Sequence, residues 1–325
     1  MSVMNVRRLI PTAAVAGAAA LGLTALTACS SSDASDHKSG DRLDVVASFY
    51  PMQFLAERIG GDHVSVSSLT KPGVEPHDLE LSPRQIGGLS DADFILYLKG
   101  IQPAVDDAIK QSESRNTLDV TTLTTLEDHG TEVGGEEHGH DEHAHEHEGE
   151  EAGADPHIWL DPVKYTEVAK GVGKALEKTD PDHAADYRKN TDTLVKELGA
   201  LDNAYRTGLK NTATKTFITT HSAFGYLAER YGLTQEGIAG IDPEAEPSPA
   251  RISALHSVAE KEKVTTVFFE TLASDKTAKT VARDTGLRTD VLDPLEGITK
   301  TSKGDDYIEV MKSNLAALRT ALGAK

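Results

Sequence analysis

The chain has 325 residues, of which 33 are Lys or Arg and 52 are Asp or Glu, for a formal net charge of −19. That balance argues against nucleic acid and anionic lipid surfaces as electrostatic partners and is compatible with attracting cations. One cysteine excludes a disulfide framework, and the length exceeds what one small core holds, so two lobes are expected.

Arg7 and Arg8 precede an apolar, Ala-rich run from Leu9 to Ala28, the pattern of an export signal over residues 1–28. It ends in Leu26-Thr27-Ala28-Cys29, which resembles a bacterial lipobox, with Cys29 the residue that would carry lipid. Residues 29–41 are polar and read as a tether between membrane and domain. With Cys29 lipidated, the mature domain has no thiolate, and any zinc site must be built from His and carboxylate.

The first lobe, residues 42–163, is expected to alternate strands and helices. Leu43–Ser48 reads as a buried strand, Pro51–Ile59 as a helix stopped by Gly60-Gly61, and Val64–Ser67 as a second strand. A short helix over Pro83–Leu89, a strand over Phe94–Leu98, a helix over Gln102–Gln111 and a short strand over Leu118–Val120 follow. Helices are then expected over Val163–Lys178 and, without a Pro, over Asp182–Leu209, making residues 164–210 a connector. In the second of these, Tyr187, Leu194, Val195, Leu198, Leu201 and Tyr205 form one apolar stripe, as a rigid helix between lobes requires. Residues 211–325 repeat the pattern. Strands over Thr216–Thr219, Val264–Phe269 and Thr289–Leu292 are joined by helices over Ser222–Tyr231, Pro249–Lys263 and Lys276–Thr285, with extended chain over Leu233–Ile241 and a closing helix over Asp305–Leu322. The fold class is therefore α/β, two βα lobes with mainly parallel sheets joined by a long helix.

One segment fits neither period. Residues 127–151, EDHGTEVGGEEHGHDEHAHEHEGEE, hold six of the thirteen histidines, and almost all the other residues are acidic, Gly or Ala. No apolar face can be drawn through them, so the segment is expected to be a disordered insertion. His129, His138, His140, His143, His145 and His147 offer imidazoles alongside carboxylates, the donors of zinc-class metals, and form an accessory metal-binding set. Capture of metal for transfer, buffering or sensing, and docking of a partner compete as its role.

Outside that segment, three histidines stand at strand ends or in turns. His77 lies in KPGVEPHDL, His157 in DPHIWLDP beside the only Trp, and His221 directly after the strand TFITT. In open α/β sheets, ligands bind at the carboxyl ends of strands, where such residues converge. Asp155, Asp161 and Asp242 are able to orient imidazoles through hydrogen bonds, but each is read first as a helix cap.

The segments GVEPHDLELSPRQIGGLSDADFILYLKG, DPHIWLDP, THSAFGYLAERYGL and LDPLEG, in that order, resemble the metal-binding solute receptors of zinc and manganese ABC importers, over about residues 42–322. The resemblance implies two βα lobes, one metal in the cleft between them and an ABC permease as partner. The export signal and lipobox place the expected location outside the cytoplasm, at the cell membrane through lipid on Cys29. Carried over residue by residue, the implied metal ligands are His77, His157, His221 and Asp293, with Glu270 the competitor of Asp293 or part of the cleft rim. An acidic His-rich insertion is typical of zinc-type members, whereas manganese-type relatives have a carboxylate where this chain has His221. Leu79 stands where the family often has an aromatic.

Three neutral imidazoles and one carboxylate suit four-coordinate Zn2+, while Mn2+ favours more oxygen ligands. The reading is a monomeric zinc receptor that catalyses nothing. A manganese receptor or adhesin of the same family, a zinc-storage chaperone and a zinc hydrolase are the alternatives. The hydrolase is disfavoured because no H-E-x-x-H or G-x-S-x-G occurs, and the nearest motif, His138-Gly-His-Asp-Glu-His143, lies in low-complexity sequence.

Overall fold

Two four-stranded parallel sheets with the same strand order organise the protein. The computed structural model describes residues 42–112, 114, 116–129 and 154–325. Cys29, the leader and tether, and His138, His140, His143, His145 and His147 lie outside the described residues.

The first sheet is built from β1 (Leu43–Ala47), β2 (Val64–Ser68), β3 (Phe94–Tyr97) and β4 (Thr117–Asp119), in the order β2-β1-β3-β4. Its helices are α1 (Tyr50–Gly60), α2 (Pro83–Asp91) and α3 (Pro103–Gln111). The second contains β5 (Thr216–Thr219), β6 (Thr234–Gly237), β7 (Thr266–Phe269) and β8 (Arg288–Val291), in the order β6-β5-β7-β8. Every pairing is parallel. The helices α6 (Gly225–Tyr231), α7 (Pro249–Lys261) and α8 (Lys276–Thr285) belong to this half. Between the halves run α4 (Pro162–Thr179) and α5 (Ala184–Gly208), and α9 (Tyr307–Ala321) closes the chain.

Local chemistry sets several of these boundaries. Pro occupies the first turn of α2, α3, α4 and α7, where its missing N–H costs nothing. Ser82 and Gln85 form a reciprocal capping box on α2, and Ser248, Asp161 and Asp306 cap α7, α4 and α9. Asp161 thus fills the capping role expected of it. Val120, expected to end a strand, instead opens a 3-10 turn, because the Asp119 carboxylate accepts from the Thr121 N–H and turns the chain.

The 25-residue helix α5 spans about 37 Å at 1.5 Å per residue. It packs on α4, on α1 of the first half and on α9 of the second. Tyr187, Leu194, Leu198, Leu201 and Tyr205 are its buried stripe, while Val195 is only partly buried. The largest hydrophobic cluster is continuous from Val45 and Phe49 through Trp159 to Phe217, Leu292 and Met311. A smaller cluster lies under each sheet, the first including Leu79 among its partly buried members. A core shared by both halves, together with α5, ties the two lobes to each other.

Trp159 anchors this shared core. Its ring is fully buried, lies 5.1 Å from that of Phe49 in an edge-on arrangement, and donates Nε1–H to the Pro294 carbonyl at 2.7 Å. The Tyr307 hydroxyl donates to the Trp159 carbonyl at 2.5 Å. The segment carrying His157 is thereby fixed to the loop after β8.

Candidate metal centre

The carboxyl ends of both sheets contribute to one cluster. His77 stands in the loop after β2, His157 just ahead of a 3-10 turn at Ile158–Leu160, and His221 two residues beyond β5. Gln235 Nε2 donates to Thr219 Oγ1 and to the His221 carbonyl, at 2.8 and 2.9 Å, which holds the turn after β5. Ring centroids lie 5.7 Å apart for His77 and His157, 5.4 Å for His157 and His221, and 6.1 Å for His77 and His221.

The carboxylate facing all three is Glu296. Its Oε1 lies 3.3 Å from Nε2 of both His157 and His221 and 3.4 Å from Nε2 of His77. One ligand atom from each of these four residues falls within 4.8 Å of all the others. His157, His221 and Glu296 are fully buried, and His77 keeps 11% of its side chain exposed.

Asp293, expected to supply the carboxylate, stands outside this group. Its Oδ1 accepts from the Leu295 N–H at 2.8 Å and its Oδ2 from Thr271 Oγ1 at 3.0 Å. Asn314 brackets its backbone, accepting from the Asp293 N–H at 3.0 Å and donating to the carbonyl at 2.7 Å. Leu295 is buried with φ of +61°, a left-handed conformation that costs about 1–3 kcal/mol in a non-Gly residue. Asp293 therefore secures the strained turn that aims Glu296 inward. Both acids belong to LDPLEG, three residues apart, and it is the second, Glu296, that the geometry groups with the three imidazoles.

Glu270, the competing carboxylate, does not join the group either. Its Oε1 accepts from His221 Nδ1 at 2.6 Å and also from Thr220 Oγ1. Asp155 does the same for His157, its Oδ1 accepting from Nδ1 at 2.7 Å and from the His157 backbone N–H at 2.9 Å. The expectation that Asp155 is a helix cap thus gives way to an imidazole-orienting role, whereas Asp242 accepts from the Glu244 N–H in a turn. With Nδ1–H bonded to carboxylate, each ring is oriented with Nε2 toward Glu296, the nitrogen that carries a proton there and, on losing it, offers its lone pair to a metal.

The electrostatics of the cluster favour a cation. His157 Nε2, His221 Nε2, Glu296 Oε2, Glu270 Oε2 and Glu75 Oε2 are all buried without a hydrogen-bond partner. Such atoms cost about 1–3 kcal/mol each, so their convergence argues for a ligand. Burial disfavours the charged form of His221, but Glu270 and Glu296 outweigh it and hold its pKa well above the imidazole value. Burial opposes charge at His157 too, and there Asp155 and Glu296 prevail and raise the pKa. Glu296 is held well below the carboxylate range; its burial is overcome by His221, His157 and His77. Glu75, buried and close to Glu296, is pushed up to about 8.

His129, the one residue of the acidic segment's six histidines within the described residues, lies elsewhere. Its Nδ1 is 2.8 Å from Asp155 Oδ2 and its Nε2 is 2.8 Å from Glu229 Oε2.

Fold and site together define a two-lobed α/β binding protein with a buried three-His, one-Glu cluster at the sheet ends. Residues 45–321 match the family described as ZnuA, zinc-uptake complex component A, periplasmic, and the chain belongs to that family. The high-affinity zinc uptake system protein ZnuA of Bacillus subtilis is 38% identical over 314 residues, covering 95% of this chain and 96% of that one. The zinc-binding lipoprotein AdcA of Streptococcus pneumoniae is 35% identical over 300 residues, 90% of this chain, which spans only 58% of that lipoprotein. The crystal structure of the Zn(II)-bound ZnuA-like domain of that AdcA superposes with a TM-score of 0.71 at 32% identity, covering 87% of this chain and 99% of that domain. The family is one of transport binding proteins rather than enzymes.

Proposed function

We propose that this protein is the extracytoplasmic zinc receptor of an ABC importer, taking Zn2+ between His77, His157, His221 and Glu296 and passing it to a membrane permease. The observation that carries this reading is the convergence of those four ligand atoms within 4.8 Å, three of the residues fully buried. Three nitrogens and one oxygen match the four-coordinate preference of zinc over the oxygen-rich shell of manganese.

The chain's own groups perform the capture. Asp155 and Glu270 accept the Nδ1–H protons of His157 and His221, so both rings present Nε2 without reorientation. Binding displaces the protons that the metal-free cluster holds and gives the orphaned Nε2 atoms and Glu296 a partner. Four protein ligands leave no open position for an activated water, which supports carriage over catalysis. A pocket of about 120 Å³ lined by Tyr50, Thr70, Lys71 and Gly297 also borders Glu296, and of the four ligands His77 alone keeps part of its side chain exposed.

Anchoring through lipid on Cys29, and a tether over residues 29–41, fit this role and rest on the sequence pattern. Among the described residues no helix is long and apolar enough to cross a membrane. The test is zinc analysis of the purified chain beside its His77→Ala, His157→Ala and His221→Ala forms. One tight zinc in the parent, lost in the triple variant, is expected; its retention there would refute the assignment.

A further inference from the structure

The Asp155 carboxylate holds two imidazoles, and only one belongs to the buried cluster. Its Oδ1 accepts from Nδ1 of His157 and its Oδ2 lies 2.8 Å from Nδ1 of His129. His129 is thus oriented as His157 is, with Nε2 turned away from Asp155 and toward other carboxylates. Glu229 Oε2 is 2.8 Å from that Nε2 and Glu127 Oε2 is 3.9 Å from it. One ligand atom each from Glu127, His129 and Glu229 lies within 4.8 Å of the other two.

We propose that Glu127, His129 and Glu229 form a second, exchangeable site for a zinc-class divalent cation, joined to the buried cluster through Asp155. The donor set is one imidazole nitrogen and two carboxylates, a borderline-metal set with room for water. Glu127 and Glu229 border a pocket of about 220 Å³ also lined by Asp161, Lys164, Tyr226 and Arg230. Lys164 Nζ pairs with Glu127 Oε1 at 2.6 Å, leaving Oε2 toward His129, and Arg230 is taken by Asp161 at 2.7 Å. Lys164 pairs with Glu127 and Asp155 with its two imidazoles, so the carboxylate left for a cation to share with His129 is that of Glu229. The side chain of Glu229 is 61% exposed, so an ion here exchanges readily, unlike one in the buried cluster.

The placement gives this site a use. Glu127 and His129 stand where the chain enters the acidic, histidine-rich segment, and Asp155 stands where it returns to the His157 turn. The Asp155 N–H donates to the Glu127 carbonyl at 2.9 Å, and the Tyr226 hydroxyl donates to the Asp155 carbonyl at 2.8 Å. The segment's two ends are thereby clamped together beside the cluster. An ion at His129 is held one carboxylate away from His157.

The test uses the full chain with His138, His140, His143, His145 and His147 all changed to Ser, titrated with Zn2+ alone by calorimetry and equilibrium dialysis. Two ions are expected, the second bound at least 100-fold more weakly than the first. Adding Glu127→Gln and Glu229→Gln should weaken the second ion at least 10-fold and leave the first within about 3-fold, which also reports that the variant folds. In the same five-Ser background, His221→Ala should remove the tight ion and keep the weak one, separating this site from the buried cluster. A single ion in the five-Ser chain, or a weak ion indifferent to the two Gln substitutions, would overturn the proposal, making His129 an imidazolium paired with Asp155 and Glu229.

Discussion

Nδ1 of His221 lies 2.6 Å from Oε1 of Glu270, so a carboxylate that competes on paper for a place around the metal instead holds the ring of one of its ligands. Carboxylates in this position typically contribute 10–100-fold to metal affinity. Glu270→Ala is expected to weaken tight zinc binding by about that factor, and Glu270→Gln by less, because an amide oxygen still accepts the Nδ1–H proton. Competition with a chelator of known affinity measures both; equal losses would show that the negative charge, not ring orientation, is what matters.

Glu296 and Asp293 separate cleanly by substitution. Glu296→Ala removes the carboxylate that faces all three imidazoles and is expected to lower zinc affinity more than 100-fold. Asp293→Asn keeps the four-residue cluster but weakens the hydrogen bonds to Leu295 and Thr271. A loss of about 1–3 kcal/mol in metal-free stability, with zinc still bound tightly, is the expected result from chemical denaturation and dialysis. Loss of zinc in Asp293→Asn with Glu296→Ala unaffected would reverse the two roles.

The pH dependence follows from the raised imidazoles. His157 and His221 have folded pKa values above that of a free imidazole, about 6.5. Their protons therefore stabilise the metal-free fold fully below about pH 6.5, and that contribution is lost as pH rises through the higher folded values. Glu296 has the opposite sign, stabilising above the ordinary carboxylate range and ceasing to do so only as pH falls through its depressed value. Zinc competes with the imidazole protons, so its affinity should rise with pH through and beyond about 6.5. Thermal melts should show the gap between zinc-loaded and metal-free Tm widening from pH 6 to pH 8. A constant gap would mean that binding displaces no imidazole proton.

The single Trp reports on the site. The Trp159 and His157 rings are 5.1 Å apart, in a buried setting with no second Trp to mask the signal. Zinc addition is expected to change the intrinsic emission of the protein saturably at one equivalent, and His157→Ala should abolish the change. Emission that responds only beyond one equivalent would place the first ion away from His157.

Much of the architecture was legible in the chain itself. Alternating apolar strands and Pro- or Ser-capped helices indicated two parallel βα halves, and the period of 3.6 from Tyr187 to Tyr205 indicated the connecting helix, because these patterns depend on neighbours close in sequence. Three loop histidines, the shortage of cysteine and the family motifs were enough to indicate a His-and-carboxylate metal receptor. Which acid completes the cluster was decided only by the tertiary structure. Asp293 and Glu296 are three residues apart and chemically alike, and the left-handed turn at Leu295, held by Thr271 and Asn314 from other elements, selects between them. The same holds for Asp155 and Glu270, which read in sequence as a cap and as a competing ligand or part of the cleft rim. Asp155 is only two residues from His157, but its hold on His129, 26 residues away, and that of Glu270 on His221, 49 residues away, rest on distances between segments that no local pattern records.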